Sequence, residues 1–202
     1  ANNKKGEYYL TDAIGFAVDD GVSVDSIQPQ ATEEIFGVNN KKQLAEAENI
    51  KRKEAADKLL QEGVTLADPA RIDVRGDLVC GKDVSIDVNV VFEGDVRIAE
   101  GASIGPHSVI ANSIIGKHTK ILSHCNLEHA NIGDNCSVGP FARLRPGTEL
   151  MNSAKAGNFV EIKKSQIGQK SKVNHLSYVG DAVVGNEVNV GAGTITCNYD
   201  GA

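Results

Sequence analysis

The stretch Ile98-Ala-Glu-Gly-Ala-Ser-Ile104-Gly-Pro-His-Ser-Val-Ile110-Ala-Asn-Ser-Ile-Ile115 decides the fold. An aliphatic residue returns every six positions. The triplet Ile98, Ile104, Ile110 is repeated seventeen residues on as Ile115, Ile121, Leu127, and again as Ile132, Val138, Leu144. After a less regular stretch, Ile167, Val173, Val179 and then Val184, Val190, Thr196 resume the rhythm. A short fixed period specifies a solenoid. Six is neither the period of an amphipathic helix nor that of a half-buried strand. It fits a coil with three flat faces, each made of one short strand and one turn, with the aliphatic side chain pointing inward. Three hexads less one residue close a coil. Stacking then puts Ile98, Ile115 and Ile132 in one column, and each coil covers its neighbour's apolar face. Glycine follows the aliphatic residue at 105, 116, 133, 139, 168, 185 and 191. These glycines are expected to supply positive φ at the corners. Ser103, Ser108 and Ser137 are expected to fill a second, tighter inward position. A narrow triangular core has little room for large rings, in keeping with an aromatic content of 4%.

Composition excludes several classes. The chain has 202 residues and a formal net charge of −6. No apolar run approaches the roughly 20 residues of a membrane span, and no signal peptide is visible. The acidic balance argues against nucleic acid as a partner. Cys80, Cys125, Cys136 and Cys197 form no C-x-x-C pair. Cys125 and Cys136 fall within the coils, where a free cysteine is a small apolar filler. A reduced, cytoplasmic protein is expected. A start at Ala-Asn-Asn and a stop at Tyr-Asp-Gly-Ala read as an excised piece of a longer protein.

Residues 1–39 have a mixed α/β character and are too short for a core of their own. Thr11 or Asp12 is positioned to cap a short helix ending near Ala17, and residues 22–27 suit a strand. Residues 40–63 read as a connecting helix. Asn40 with Gln43 is a capping-box variant, Glu48–Arg52 and Glu54–Lys58 are i,i+4 pairs, and Gly63 is a C-terminal stop. The solenoid occupies residues 64–202, with Asp68-Pro69 as punctuation. Residues 146–158 break the hexad and are expected to leave the solenoid as a loop, where sites are usually built.

Arg143, Arg145, Lys155, Lys163, Lys164, Lys170 and Lys172 form a basic cluster on an acidic chain. Guanidinium forks and ammonium charges suit a phosphate; the alternative is a solvated charged face. His175 and Tyr178 flank inward positions and should point outward. A neutral imidazole there suits a general base, or it is an idle surface residue. His107 and His124 are one coil apart, and His129 follows. Three histidines suit a catalytic zinc, as in a metal-dependent hydratase; stacked surface rings are the alternative.

Four segments carry a more specific signal: Gly139-Pro-Phe-Ala-Arg-Leu-Arg-Pro-Gly147, Gly157-Asn-Phe-Val-Glu-Ile-Lys-Lys164, His175-Leu-Ser-Tyr-Val-Gly-Asp181 and Asn189-Val-Gly-Ala-Gly-Thr-Ile-Thr-Cys-Asn-Tyr-Asp-Gly201. With Val38-Asn-Asn-Lys-Lys-Gln-Leu44 and Gly6-Glu-Tyr-Tyr-Leu-Thr-Asp12, they resemble the bacterial bifunctional N-acetylglucosamine-1-phosphate uridyltransferase/glucosamine-1-phosphate N-acetyltransferase family along the whole chain. The resemblance implies a left-handed parallel β-helix, a hexapeptide-repeat solenoid preceded by a linker helix and the remnant of an α/β nucleotidyltransferase domain. It implies acetyl transfer from acetyl-CoA to glucosamine 1-phosphate by a homotrimer. It assigns His175 as the base. Arg145 and Lys163 become phosphate ligands, and Tyr178 and Asn189 sugar-phosphate contacts. Ala192, Asn198 and Tyr199 become acetyl-CoA contacts. Asn39 matches a Mg2+ ligand of the uridyltransferase site, whose glycine-rich loop and carboxylate are not in this sequence, so uridyl transfer by this chain alone is not expected. A different hexapeptide acyltransferase and a non-catalytic trimerising scaffold are the other readings.

Overall fold

In the computed structural model, Gly6 and residues 8–198 are described. They fall into two compact units, Ala1–Ala47 and Glu48–Ala202.

The first unit contains helix α1, Asp12–Asp19, and the start of α2, Lys41–Gln61. No residue of α1 is buried, and Phe16 is 68% exposed, in keeping with a segment too short for its own core. Neither proposed cap holds. Thr11 has helical φ and ψ and makes no side-chain cap bond, and Asp12 is already inside the helix. Residues 22–27 form no strand. The start of α2 is a capping box shifted by one residue: Asn40 Oδ1 accepts from the Gln43 N–H, while Gln43 Oε1 accepts from the N–H of Asn39.

The second unit is a parallel β-solenoid of about seven turns, and α2 leads into it. The helix ends in a Schellman motif: the Gly63 N–H donates to Leu60, the Val64 N–H donates to Leu59, and Gly63 has φ +89°. Ala56 and Leu59 are buried in the same cluster as Val64, Leu66, Ile72 and Val84, so the helix caps the first coil's apolar end. The i,i+4 pairs expected on α2 are replaced by others. Arg52 turns to Asn49 and Asp73, Glu54 accepts from Lys51, and Lys58 faces Glu62. Arg52 is drawn away because the first coil supplies a carboxylate.

The ladder confirms the columns. Ile98 pairs with Ile115 and Ile115 with Ile132. Ile104, Ile121 and Val138 form a second column, and Ile110, Leu127 and Leu144 a third. All are at most 3% exposed, and burying each such side chain contributes about 1.5–3 kcal/mol. The second inward position lies two residues before the aliphatic one. Ala102, Ser108, Ser113, Thr119, Cys125, Ala130 and Cys136 occupy it, all buried. Ser108 is therefore read correctly, whereas Ser103 and Ser137 are one residue off and only half-buried. Buried hydroxyls here bond to the next coil: Thr119 Oγ1 donates to the Gly133 carbonyl at 2.7 Å and accepts from the Cys136 N–H at 2.9 Å.

The corners correct a second expectation. Of the seven glycines that follow an aliphatic residue, only Gly139 has positive φ. The others mostly serve close stacking: a Cβ on Gly116 would fall 2.4 Å from the Gly133 carbonyl carbon. Positive φ comes two or three residues after the aliphatic one, at His107, Asn112, His118, His124, His129, Asn135, Phe141 and Phe159 among others.

No loop leaves the solenoid over 146–158. Thr148–Leu150 and Lys155–Lys163 are strands. Leu150, Ala156 and Ile162 continue the three columns opposite Ile132, Val138 and Leu144. The rhythm looked broken for two reasons: Ala156 stands where an Ile or Val was sought, and the corner from Leu144 to Leu150 has one residue more than the corner from Leu127 to Ile132.

Candidate active site

Two adjacent strands, Lys155–Lys163 and Lys172–Gly180, carry most of the candidate residues. Their register places Asn158 beside His175, Glu161 beside Tyr178 and Lys163 beside Gly180. Both strands turn a corner midway, at Phe159 and Leu176, which have positive φ. His175 therefore stands at the edge of one solenoid face. Tyr178 lies along that face, and Lys163 is at its far edge. Arg145 is at the same far edge one coil earlier, because it follows Leu144 as Lys163 follows Ile162. Thr148 fixes the long corner bearing Arg145, its hydroxyl donating to the Arg145 carbonyl at 2.7 Å.

The basic residues at the far edge hold carboxylates. Arg145 Nη1 donates to Glu161 Oε1 at 2.9 Å, and Lys163 Nζ lies 3.6 Å from Asp181 Oδ2. All four side chains are between 30% and 44% exposed, so these pairs can exchange with an anion from solution at small cost. Tyr178 folds over Gly180, where a Cβ would fall 2.5 Å from the hydroxyl oxygen. Glycine there is what lets the phenol reach toward the Lys163 column.

His175 is exposed, and its Nδ1 meets Asn158 Oδ1 at 2.5 Å. Behind it lies a cleft of about 350 Å³ lined by Pro140, Lys155, Gly157, Asn158, Phe159 and Asn174, among others. Tyr178 does not line that cleft; it shares the next face with His175 instead. Asn189 lies in the following coil, its Oδ1 accepting from Asn174 Nδ2 at 3.2 Å. Ala192 precedes Gly193, whose N–H donates to the Leu176 carbonyl, so it sits one coil beyond His175. Asn198 Nδ2 donates to the carbonyls of Gly180 and Asp181, which leaves Oδ1 as the group it offers a ligand. Tyr199 lies outside the described residues.

The remaining histidines have a backbone explanation. His107, His118, His124 and His129 all have positive φ, a conformation in which histidine is enriched. His175 does not, so its presence is not explained by a turn. His107 and His124 stack at 4.9 Å and 23°, and the stack continues through Phe141 to Phe159. Near-parallel rings do not aim their nitrogens at a common ion. Among the described residues, no group of three or more His, Cys, Asp or Glu side chains is placed to hold a metal. Asn39 is exposed, with its N–H bonded to Gln43. By itself it does not make a Mg2+ site.

Three residues of this neighbourhood escaped the sequence reading: Asn158, Glu161 and Asp181. Asn158 lies seventeen residues from His175, Asp181 eighteen from Lys163 and Glu161 sixteen from Arg145. Coil length is the signal that finds them.

The stacked parallel coils thus present a basic far edge and an outward imidazole along one face. The bacterial transferase hexapeptide family (six repeats) matches residues 77–112. In fold alone, the chain is similar to a UDP-N-acetylglucosamine O-acyltransferase from Moraxella catarrhalis, with a TM-score of 0.50 and 20% identity over 61% of this chain and 63% of that one. The sequence is more specific. It is 58% identical over 201 residues to the bifunctional protein GlmU of Ralstonia pickettii and 56% identical over 200 residues to that of Burkholderia vietnamiensis. These matches cover 100% and 99% of this chain and 44% of each relative. Along its whole length, then, the chain is a relative of bifunctional GlmU, and it spans less than half of those proteins.

Proposed function

We propose that this chain carries the acetyltransferase site of a glucosamine-1-phosphate N-acetyltransferase. The observation that carries the reading is the face bounded by His175 on one edge and by Arg145 and Lys163 on the other, with Tyr178 between. Phosphate displaces Glu161 and Asp181 and is held by the guanidinium and the ammonium. Tyr178 and Asn189 contact the sugar, and the bound phosphate orients the 2-amino group toward His175.

The substrate amine is the nucleophile, so the protein needs none of its own. His175 Nε2 accepts a proton as the amine nitrogen bonds to the acetyl carbon. The carbon–sulfur bond breaks, and the proton leaves on the thiol sulfur. Acetyl-CoA supplies the acetyl group, held by Ala192, Asn198 and Tyr199. N–H donors near Ala192 are suited to the negative charge that develops on the carbonyl oxygen. His175 and the basic pair flank an open face, and a second copy packed against it would shield the reaction from water. A homotrimer in the bacterial cytoplasm is the assembly we propose. In the whole protein, a uridyltransferase site with Mg2+ would transfer the uridylyl group of UTP to the product, giving UDP-N-acetylglucosamine and releasing pyrophosphate.

Calorimetric titration of glucosamine 1-phosphate, with Arg145→Ala as control, tests the reading. Saturable binding that the substitution weakens about tenfold or more is the expected result. A folded trimer that shows no binding would overturn it.

A further inference from the structure

We infer that Asn158 is a positioning residue that holds His175 as the Nδ1–H tautomer, with the Nε2 lone pair free on the open face. The inference rests on reading His175 as the base, but the tautomer itself does not depend on that reading. Asn158 and His175 are register partners on neighbouring strands, and their side chains meet through Asn158 Oδ1 and His175 Nδ1. An amide oxygen only accepts, so the ring nitrogen facing it carries the proton. The other nitrogen is then bare and able to take a proton from an amine. With the amide reversed, its N–H would donate to Nδ1, the proton would sit on Nε2, and the imidazole would present a donor to the substrate.

The surroundings restrain Asn158. On one side is Gly157, where any Cβ would collide with the Asn174 backbone. On the other is Phe159, at positive φ and stacked on Phe141 at 5.2 Å. The backbone on both sides is thereby fixed, and with it the place from which the amide reaches the ring. The neighbouring Asn174 turns its Nδ2 to Asn189 in the next coil. A neutral acceptor also orients the ring without placing a negative charge on a face that must receive a phosphorylated sugar.

Nitrogen-15 NMR of the full chain with labelled histidine reads the tautomer directly. The spectra are recorded at about pH 8.5, where an ordinary imidazole is neutral, and His175 is assigned by its loss in His175→Gln. The expected result is a protonated Nδ1 and a bare Nε2. Asn158→Leu should return His175 to the Nε2–H form that free imidazole side chains favour, while Asn158→Asp keeps the native tautomer. In an acetyl-transfer assay, Asn158→Leu should lower kcat at least about tenfold with KM little changed, and Asn158→Asp should restore part of it. An Nε2–H tautomer in the unsubstituted chain overturns the inference, as does an unchanged tautomer in Asn158→Leu. The first of these readouts needs no substitution at Asn158. If the tautomer is as expected and no acetyl is transferred, the functional reading fails while the positioning of His175 stands.

Discussion

Lys163 and Asp181 are joined twice: Lys163 Nζ lies 3.6 Å from Asp181 Oδ2, and the Asp181 N–H donates to the Lys163 carbonyl at 3.0 Å. The backbone bond keeps the carboxylate beside the ammonium whether or not an anion is present. Asp181 thus competes with phosphate for Lys163. Asp181→Asn keeps the backbone bond and removes the competing charge. It should tighten binding of glucosamine 1-phosphate severalfold, about 0.5–1 kcal/mol for a part-exposed pair. Titration at two salt concentrations checks this, since the gain should shrink as ionic strength rises.

Ile114 and Ile115 are neighbours on opposite sides of one strand, 50% and 0% exposed. Ile115→Ala leaves a hole between Ile98 and Ile132 and should cost about 2–5 kcal/mol. Ile114→Ala should change stability by no more than about 0.5 kcal/mol. Urea unfolding of the two variants measures the difference. Similar losses would contradict the inward columns.

Gly168 and Gly191 both follow an aliphatic residue, yet they face different surroundings. A Cβ on Gly168 would fall 2.3 Å from the Gly185 carbonyl oxygen, and one on Gly191 meets nothing within 4 Å. Gly168→Ala should force two coils apart and lower the thermal midpoint by several degrees, about 1–3 kcal/mol. Gly191→Ala should be neutral or slightly stabilising. Thermal scans of both variants decide whether the spacing between coils or the bend of the chain selects glycine here.

Burial pushes the Cys80 thiol up to about 12, with nearby Glu62 adding to the shift. Folded Cys80 therefore keeps a proton that the unfolded chain releases above about 8.5. Its contribution is intact below that pH and is lost as pH rises toward about 12. Urea midpoints should fall over this window, and less steeply in Cys80→Ala. Near neutral pH, iodoacetamide should modify exposed Cys197 first, with buried Cys125 and Cys136 protected. Mass spectrometry of the alkylated chain identifies the modified thiol.

The solenoid was legible because Ile98, Ile104, Ile110 and their repeats are each dictated by one requirement, burial against the next coil. Residues 146–158 were misread because the same requirement is met there by Ala156, with Ala154 at the second inward position before it, both buried. Ala156 keeps its place in the column between Val138 and Val173, but a search for Ile, Val or Leu spacing passes over an alanine. The corners were misread for another reason. None of the non-glycine residues with positive φ is Val, Ile or Thr, because a β-branched side chain clashes there. The rule is one of exclusion, and it is hard to see among residues as different as Asp83, His107, Phe141 and Glu187. Of the site, Arg145, Lys163, Tyr178 and His175 were recognisable by type and motif. Asn158, Glu161 and Asp181 act through partners a whole coil away and acquire meaning only once the register is known.

The corner between Leu144 and Leu150 marks where this architecture tolerates changes in length. It holds one residue more than the corner from Leu127 to Ile132, yet Leu150 still sits opposite Ile132 at full burial. Loss of one residue there would leave all three columns intact, as the shorter step from Ile162 to Ile167 shows, and would reshape only the corner that follows Arg145. Descendants of one repeating scaffold can thus remodel the rim beside an anion-binding side chain in one mutational step, without relinquishing the fold that supports it.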